Sequence, residues 1–342
     1  MEINTNIDVH KLHLKKALGT YKPITYLSNI AVMYFEEPTF AHRRIFPICP
    51  VAVPSGHFYT FSKGDLARDN VGLKPPYGKV APAVFGISNQ SYSCQVYQII
   101  IGLDQILTLP YMRTNATVDP RRMRVRTISE QLAHHQELNF AAKFFNATAW
   151  DNTWTGAASA DPDNKKFKKF DDSSCDPVAF FDERITDIRR SGRRKPNKLV
   201  LGIETYNALK NNAFLLDRIR YSGSATNPAV VNENVLAQIF GIEEVVVLDA
   251  TYNSAEFGAP EKMEFICDSK GALLLYTPAA PSIDEPSAGY CFSYLLDNNN
   301  YIGVSTYEGA PGEHTELMEG LIAYDAEITG QDLAIFMDNC CG

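Results

Sequence analysis

Three groups of residues in this chain have types and spacings that chemistry uses. His134, His135 and Glu137 fall within one helical turn, but His134 and Glu137 supply only two ligands where zinc takes four. Polar packing along a helix accounts for them without a metal. Asp161 and Asp163 imitate the opening of a calcium loop, yet Lys165 occupies the next odd position and no turn glycine or closing glutamate follows. A solvated, charged loop over 161–172 is the expectation. Arg189, Arg190, Arg193, Arg194 and Lys195 form a basic cluster. It reads either as a nucleic-acid contact or as cations favoured by the dipole at a helix C-terminus. The chain has no G-x-G-x-x-G after a strand, no G-x-x-x-x-G-K-[ST], no G-x-S-x-G and no H-E-x-x-H. No catalytic residue, cofactor site or metal site is therefore expected.

A further group of cations is placed against its local preference. Arg121, Arg122, Arg124 and Arg126 crowd the first turns of the strongest helix in the sequence, where the dipole disfavours positive charge. Acidic partners must come from elsewhere, either from a neighbouring subunit or from a distant part of the same chain. The helix itself is announced by Asp119 as N-cap and Pro120 at the first position. Val125, Ile128, Leu132, Ala142 and Phe145 lie near one stripe that Leu138 and Ala141 widen, predicting a helix over 119–148, a rod of roughly 40 Å.

Asp176-Pro177 starts a second helix that ends at Gly192. An α/β pattern follows: an apolar strand at 198–203, a helix from 205 to 210, a helix capped by Asn232 and stopped at Gly241, and strands at 245–248 and 271–277. The remainder is β in character, with strands at 290–296, 301–307, 317–328 and 333–337 and a turn at 298–300.

At 342 residues, 45% hydrophobic and 21% charged, the chain is long enough for two cores. No window approaches the eighteen apolar residues of a membrane span, and residues 1–8 lack the pattern of an export signal. Production in the cytoplasm, without a membrane partner, is expected. The seven cysteines are scattered, odd in number and without a C-x-x-C pair, so free and mostly buried thiols are expected, with Cys340 and Cys341 at an exposed end.

Charge is unevenly divided. Residues 231–342 carry nineteen acids and two bases, a net of −17, so the first 230 carry +9 of the overall −8. Chance segregation on two solvated halves is one account. The other is head-to-tail packing of basic on acidic surface between copies. A net-acidic chain is a poor specific ligand for nucleic acid.

Between Pro47 and Gly86 stand six prolines and five glycines, a composition usual in disordered segments. Strand-like pieces at 57–61, 83–87 and 92–97 are set into it around a turn at Lys63-Gly64-Asp65. A two-stranded arm of this kind is marginal unless something covers it, and another copy of the chain would serve.

The order of these parts resembles the major capsid protein of tailed bacteriophages, with its HK97-like fold. The residues that carry the resemblance are Tyr34-Phe35-Glu36-Glu37-Pro38 leading to Ile45-Phe46-Pro47-Ile48-Cys49-Pro50-Val51, the loop Ser55-Gly56-His57-Phe58-Tyr59-Thr60-Phe61-Ser62-Lys63-Gly64-Asp65 with Tyr92-Ser93-Cys94, Lys198-Leu199-Val200-Leu201-Gly202 followed by Thr205-Tyr206-Asn207-Ala208-Leu209, and the ending Tyr324-Asp325-Ala326-Glu327-Ile328 to Phe336.

The resemblance implies an α+β chain with an N-terminal arm (1–45), an extended loop or E-loop (46–92), a peripheral domain (93–195 and 286–324) with its spine helix, and an α/β axial domain (196–285 and 325–342). It implies pentamers and hexamers of an icosahedral shell around double-stranded DNA, a location in the virion, and contacts with a scaffolding protein, a portal and a decoration protein. Because the arm starts almost at once, a separate scaffold is expected. Phe58, Tyr59, Phe61, Asp65 and Arg68 of the loop, with Arg121, Arg122, Arg124 and Arg126, are the expected inter-subunit contacts. Lys63 and Lys74 are read as solvent-facing, with no covalent cross-link. A nanocompartment shell of the encapsulin type, enclosing an enzyme, and a cytoplasmic α/β enzyme are the competing readings.

Overall fold

Unbroken apolar runs at 199–202 and 272–275 require cover on both faces, and they receive it from two different sets of helices. A computed structural model describes residues 40–61, 69, 71, 73, 74, 76–80, 87–106, 120–222, 231–256, 258–279, 285–295 and 301–342. Expected pieces at 9–18, 24–35 and 298–300, and Lys63, Asp65, Arg68 and Asp119, lie outside these residues.

In chain order the elements are α1 (His42–Ile45), β1 (Ile48–Val51), β2 (Ser55–Phe61), β3 (Ile87–Ser93), β4 (Gln95–Asp104), the long helix α2 (Pro120–Phe144), β5 (Thr153–Ala157), β6 (Lys166–Lys168), α3 (Pro177–Gly192), β7 (Lys198–Gly202), α4 (Ile203–Lys210), α5 (Ala213–Ser222) and α6 (Glu233–Phe240). Then come β8 (Glu244–Leu248), β9 (Thr251–Asn253), β10 (Met263–Phe265), β11 (Ala272–Leu275), β12 (Gly289–Tyr294), β13 (Ile302–Glu308), β14 (Thr315–Ile328) and β15 (Ala334–Asp338).

The chain divides into two compact units, one within 95–135 and 294–324, the other within 38–94, 136–293 and 325–342. In the first, β14 is central, antiparallel to β13 on one side (Val304 opposite Gly320) and to β4 on the other (Ile99 opposite Gly320). Val125, Ile128, Leu132 and Ala133 of α2 are buried, as are Leu103, Val304, Met318 and Ile322. Tyr97 lies 4.5 Å from the His135 ring and 5.1 Å from that of Tyr324. Burial first, and the neighbouring His134 second, push the His135 pKa down, keeping the imidazole neutral among the rings.

The second unit is built on a six-stranded sheet in the order β6-β5-β15-β11-β7-β8. Strand β11 is antiparallel to both β15 and β7, while β7 and β8 are parallel. Successive side chains of a strand point to opposite faces. Leu199, Leu201, Leu274 and Ile335 therefore meet Phe181, Ile185 and Ile188 of α3 and Leu236 and Phe240 of α6. Val200, Leu273, Leu275 and Phe336 meet Phe140, Phe144 and Phe145 with Ile45 and Phe46. A two-sided core is why these strands read as unbroken apolar runs. The caps are as the sequence dictates: Asp176 accepts from the N–H groups of Val178 (3.0 Å) and Ala179 (3.3 Å), and Asn232 accepts from that of Val235 (3.0 Å).

Several expectations are corrected. The long helix stops at Phe144, not 148. Asn146 bonds back to the Ala142 carbonyl (2.8 Å) and accepts from the Thr148 N–H (3.0 Å), while Trp150 Nε1 donates to the Phe144 carbonyl (2.8 Å), turning the chain aside. Ala142 is exposed, and Phe140 and Phe144 do the burying. The charged stretch 161–172 is not a solvated loop: it contains β6 and buries Phe167 and Phe170 in the core, with Lys165 and Lys166 exposed and Lys168 and Lys169 half-buried. Cys340 and Cys341 are buried like the other five thiols. Helix α3, expected with the peripheral part, packs on the sheet of 196–285 because its apolar stripe is complementary to that face.

Candidate assembly surfaces

The foot of the extended loop is a hairpin in which β2 and β3 pair antiparallel, Phe58 opposite Gln90 and Phe61 opposite Ile87. Its inner side is fastened by aromatic contact. Tyr92 stacks on Phe292 of β12 with centroids 4.7 Å apart, and Phe58 lies 5.4 Å from the same ring. Both Phe58 and Tyr92 are buried within their own chain. Phe58 is therefore withdrawn from the expected inter-subunit contacts: its payload is used to hold the hairpin down. Tyr59 is placed by backbone register opposite Asn89.

Polar contacts complete the foot. The Ser93 N–H donates to Asp325 Oδ2 (2.8 Å), and Lys143 Nζ stands 3.4 Å from Asp325 Oδ1 and 3.6 Å from Glu327 Oε1. Burial, then the Asp325 charge, hold the Glu327 carboxyl above its ordinary pKa. With a folded pKa above the unfolded one, its contribution to stability is present at acid pH and lost as pH rises through the folded value. Glu327→Gln is expected to raise the melting temperature at neutral pH, with the advantage gone near about pH 4. A variant whose melting difference does not change between those pH values would refute this.

Glu137, read from the sequence as polar packing on the long helix and not as a metal ligand, works as a clamp. Its Oε2 accepts from the His42 N–H (2.9 Å) and lies 2.7 Å from His42 Nδ1, while Gln136 Oε1 lies 2.8 Å from His42 Nε2. The segment leading into β1 is thereby fixed to α2.

The arginines of α2 divide. Arg121 pairs with Glu316 of β14 at 2.9 Å, so its acidic partner is a distant part of the same chain. Arg126 pairs at 2.7 Å with Glu130 one turn on, which neither expectation foresaw. Arg122 and Arg124 are exposed and have no ion pair among the described residues. Residues the sequence did not single out also stand out: Val71, Leu73 and Tyr77 of the loop are almost wholly exposed apolar side chains. The one available signal was their position in a segment too poor in core residues to fold alone.

A hairpin foot, a long helix against an antiparallel sheet and a separate α/β sheet domain together make the HK97-like capsid fold. The solved structure of a phage-related protein from Bordetella bronchiseptica matches with a TM-score of 0.70, covering 93% of this chain and 97% of that one at 18% identity. The capsid of cyanophage P-SCSP1u matches with a TM-score of 0.51, covering 85% of each chain at 10% identity. In sequence the chain is similar to the major capsid protein of Burkholderia phage BcepMu, 32% identical over 130 residues, which is 36% of this chain and 39% of that protein. The match thus spans about two fifths of the phage protein's length. No family model matches the chain.

Proposed function

We propose that this chain is the major capsid subunit of a tailed phage, a structural protein that assembles through its own copies into the pentamers and hexamers of an icosahedral, DNA-filled head. The single observation that carries the reading is the sequence match to a phage major capsid protein in a chain with the HK97-like architecture. The exposed Val71, Leu73 and Tyr77 support it, because three almost wholly exposed large apolar side chains close together in the chain bury apolar area when a neighbour covers them. Tyr59, Phe61, Asp65, Arg68, Arg122 and Arg124 are the further contacts proposed between subunits. A loop that clasps a neighbour multiplies weak contacts through effective concentration, so errors dissolve before the shell closes. The reading calls for a scaffolding protein and a portal, for DNA touched without sequence readout, for assembly in the host cytoplasm, and for no catalysis.

Electron microscopy of the chain expressed with its genomic neighbours tests the proposal. Closed polyhedral particles containing DNA are expected. Particles filled with a protein cargo would replace the head by a nanocompartment, and a soluble monomer that never forms particles would overturn both.

A further inference from the structure

The two ends of the six-stranded sheet carry opposite charge. Strands β7 and β8 are parallel, so the residues entering them lie at one end and those leaving them at the other, five residues or about 17 Å away. At the entering end stand Arg189, Arg190, Arg193, Arg194 and Lys195, all exposed. The Arg194 guanidinium lies 5.9 Å from the ring of Tyr276, which follows β11 at that same end. Of the nearby acids, Glu244 is paired with Arg44 at 2.7 Å and Asp187 with Arg184 at 3.0 Å and Arg190 at 3.6 Å, while Glu243 is exposed at the same end.

Arg193 is also kept at a conformational cost. Gly192 cannot be exchanged for a larger residue, because a Cβ there would sit 2.9 Å from the Asp332 carbonyl oxygen. The left-handed turn that ends α3 falls on the next residue, and that residue is arginine at φ 56° where glycine or asparagine is usual.

The leaving end runs into the β9–β10 hairpin, where Glu256 and Glu261 are exposed and without an ion pair among the described residues. Asp249 and Asp268 are exposed beside them, and Lys262 is taken up by Glu264 at 2.6 Å. Met263 and Phe265 stand exposed on the same hairpin, 60% and 43%.

We infer that the basic cluster at the end of α3 is the docking surface for the acidic β9–β10 hairpin of a second copy of this chain. The inference deepens the shell-subunit reading and rests on it. Within one copy the two surfaces lie at opposite ends of a sheet. Between copies they face each other head to tail, and a heterologous contact of this kind closes into a ring when the rotation permits. The hairpin brings both parts of an interface, an apolar centre in Met263 and Phe265 and a charged rim in Glu256 and Glu261. The rim sets partner and register, and the division of −17 against +9 along the chain is its overall expression.

The test is a charge swap in the full chain. Arg190→Glu with Arg194→Glu, and separately Glu256→Arg with Glu261→Arg, are each expected to lower ring and shell yield by about tenfold or more, measured by native mass spectrometry and electron microscopy. All are surface positions, and circular dichroism checks that each variant folds. The fourfold swap, carrying both pairs, is expected to restore assembly, and wild-type ring formation is expected to weaken as salt is raised. Normal assembly of either pair alone would overturn the inference, as would a folded fourfold variant no better than the pairs. Normal shells that lose DNA would assign the cluster to phosphate contact instead and overturn it too. If the wild type forms no shells the head reading fails, while the ring oligomers still score this contact by itself.

Discussion

Phe292→Ala is expected to destabilise the protein by about 3–5 kcal/mol, the range for removing a fully buried phenylalanine from a core that cannot collapse around the gap. Phe292 is wholly buried, and its ring is the shared surface for Tyr92 at 4.7 Å, Phe58 at 5.4 Å and Tyr290 at 6.1 Å. Its loss leaves the hairpin of β2 and β3 without its aromatic seat, so the foot of the extended loop should be cleaved by protease early and shell formation should fail. Denaturant unfolding with limited proteolysis measures both effects. A loss under about 1 kcal/mol with the hairpin still protected would show that backbone pairing alone holds the foot.

The second large effect is expected at Gly320. This glycine sits at the centre of β14, and a Cβ there would collide with Ile128 Cγ2 of the long helix and approach Leu132 Cδ1 to 3.3 Å and Ile99 Cγ2 to 3.4 Å. Helix and sheet come together at this point because one residue has no side chain. Gly320→Val forces them apart, and overpacking costs about 1–3 kcal/mol, with the larger figure expected because the strand is flanked on both sides. Ile128→Ala in the same chain should return part of the loss, which a double-mutant cycle by thermal unfolding would measure. An unchanged melting temperature for Gly320→Val alone would sink the argument.

Both predictions concern contacts that sequence patterns do not display. The caps at Asp176 and Asn232 and the apolar runs at 198–203 and 245–248 were legible because they depend on neighbours within a few residues. The end of the long helix was misjudged because the stop signal is Asn146 turning back on its own backbone, in a sequence without glycine or proline at that point. The stretch 161–172 was misjudged because its lysines and aspartates outnumber Phe167 and Phe170, the two residues that decide where it packs. Phe58 illustrates a third kind of failure. An aromatic residue in an extended arm is equally suited to a neighbour or to its own core, and only the position of Phe292, far along the chain, chooses between them.

The sequence by itself determined the types of the long helix, of the capped helices at Asp176 and Asn232 and of the apolar strands, together with the uneven charge, the lack of any nucleophile or phosphate motif and the order of parts that resembles a capsid chain. These are local or additive properties of residues. Tertiary structure alone decided which arginine of α2 meets Glu316, which end of the sheet is basic and which acidic, and that the foot of the loop is seated within its own chain. Those outcomes depend on contacts between residues far apart in the chain, and parallel pairing of β7 with β8 is what turns a scatter of charges along the polymer into two opposed surfaces.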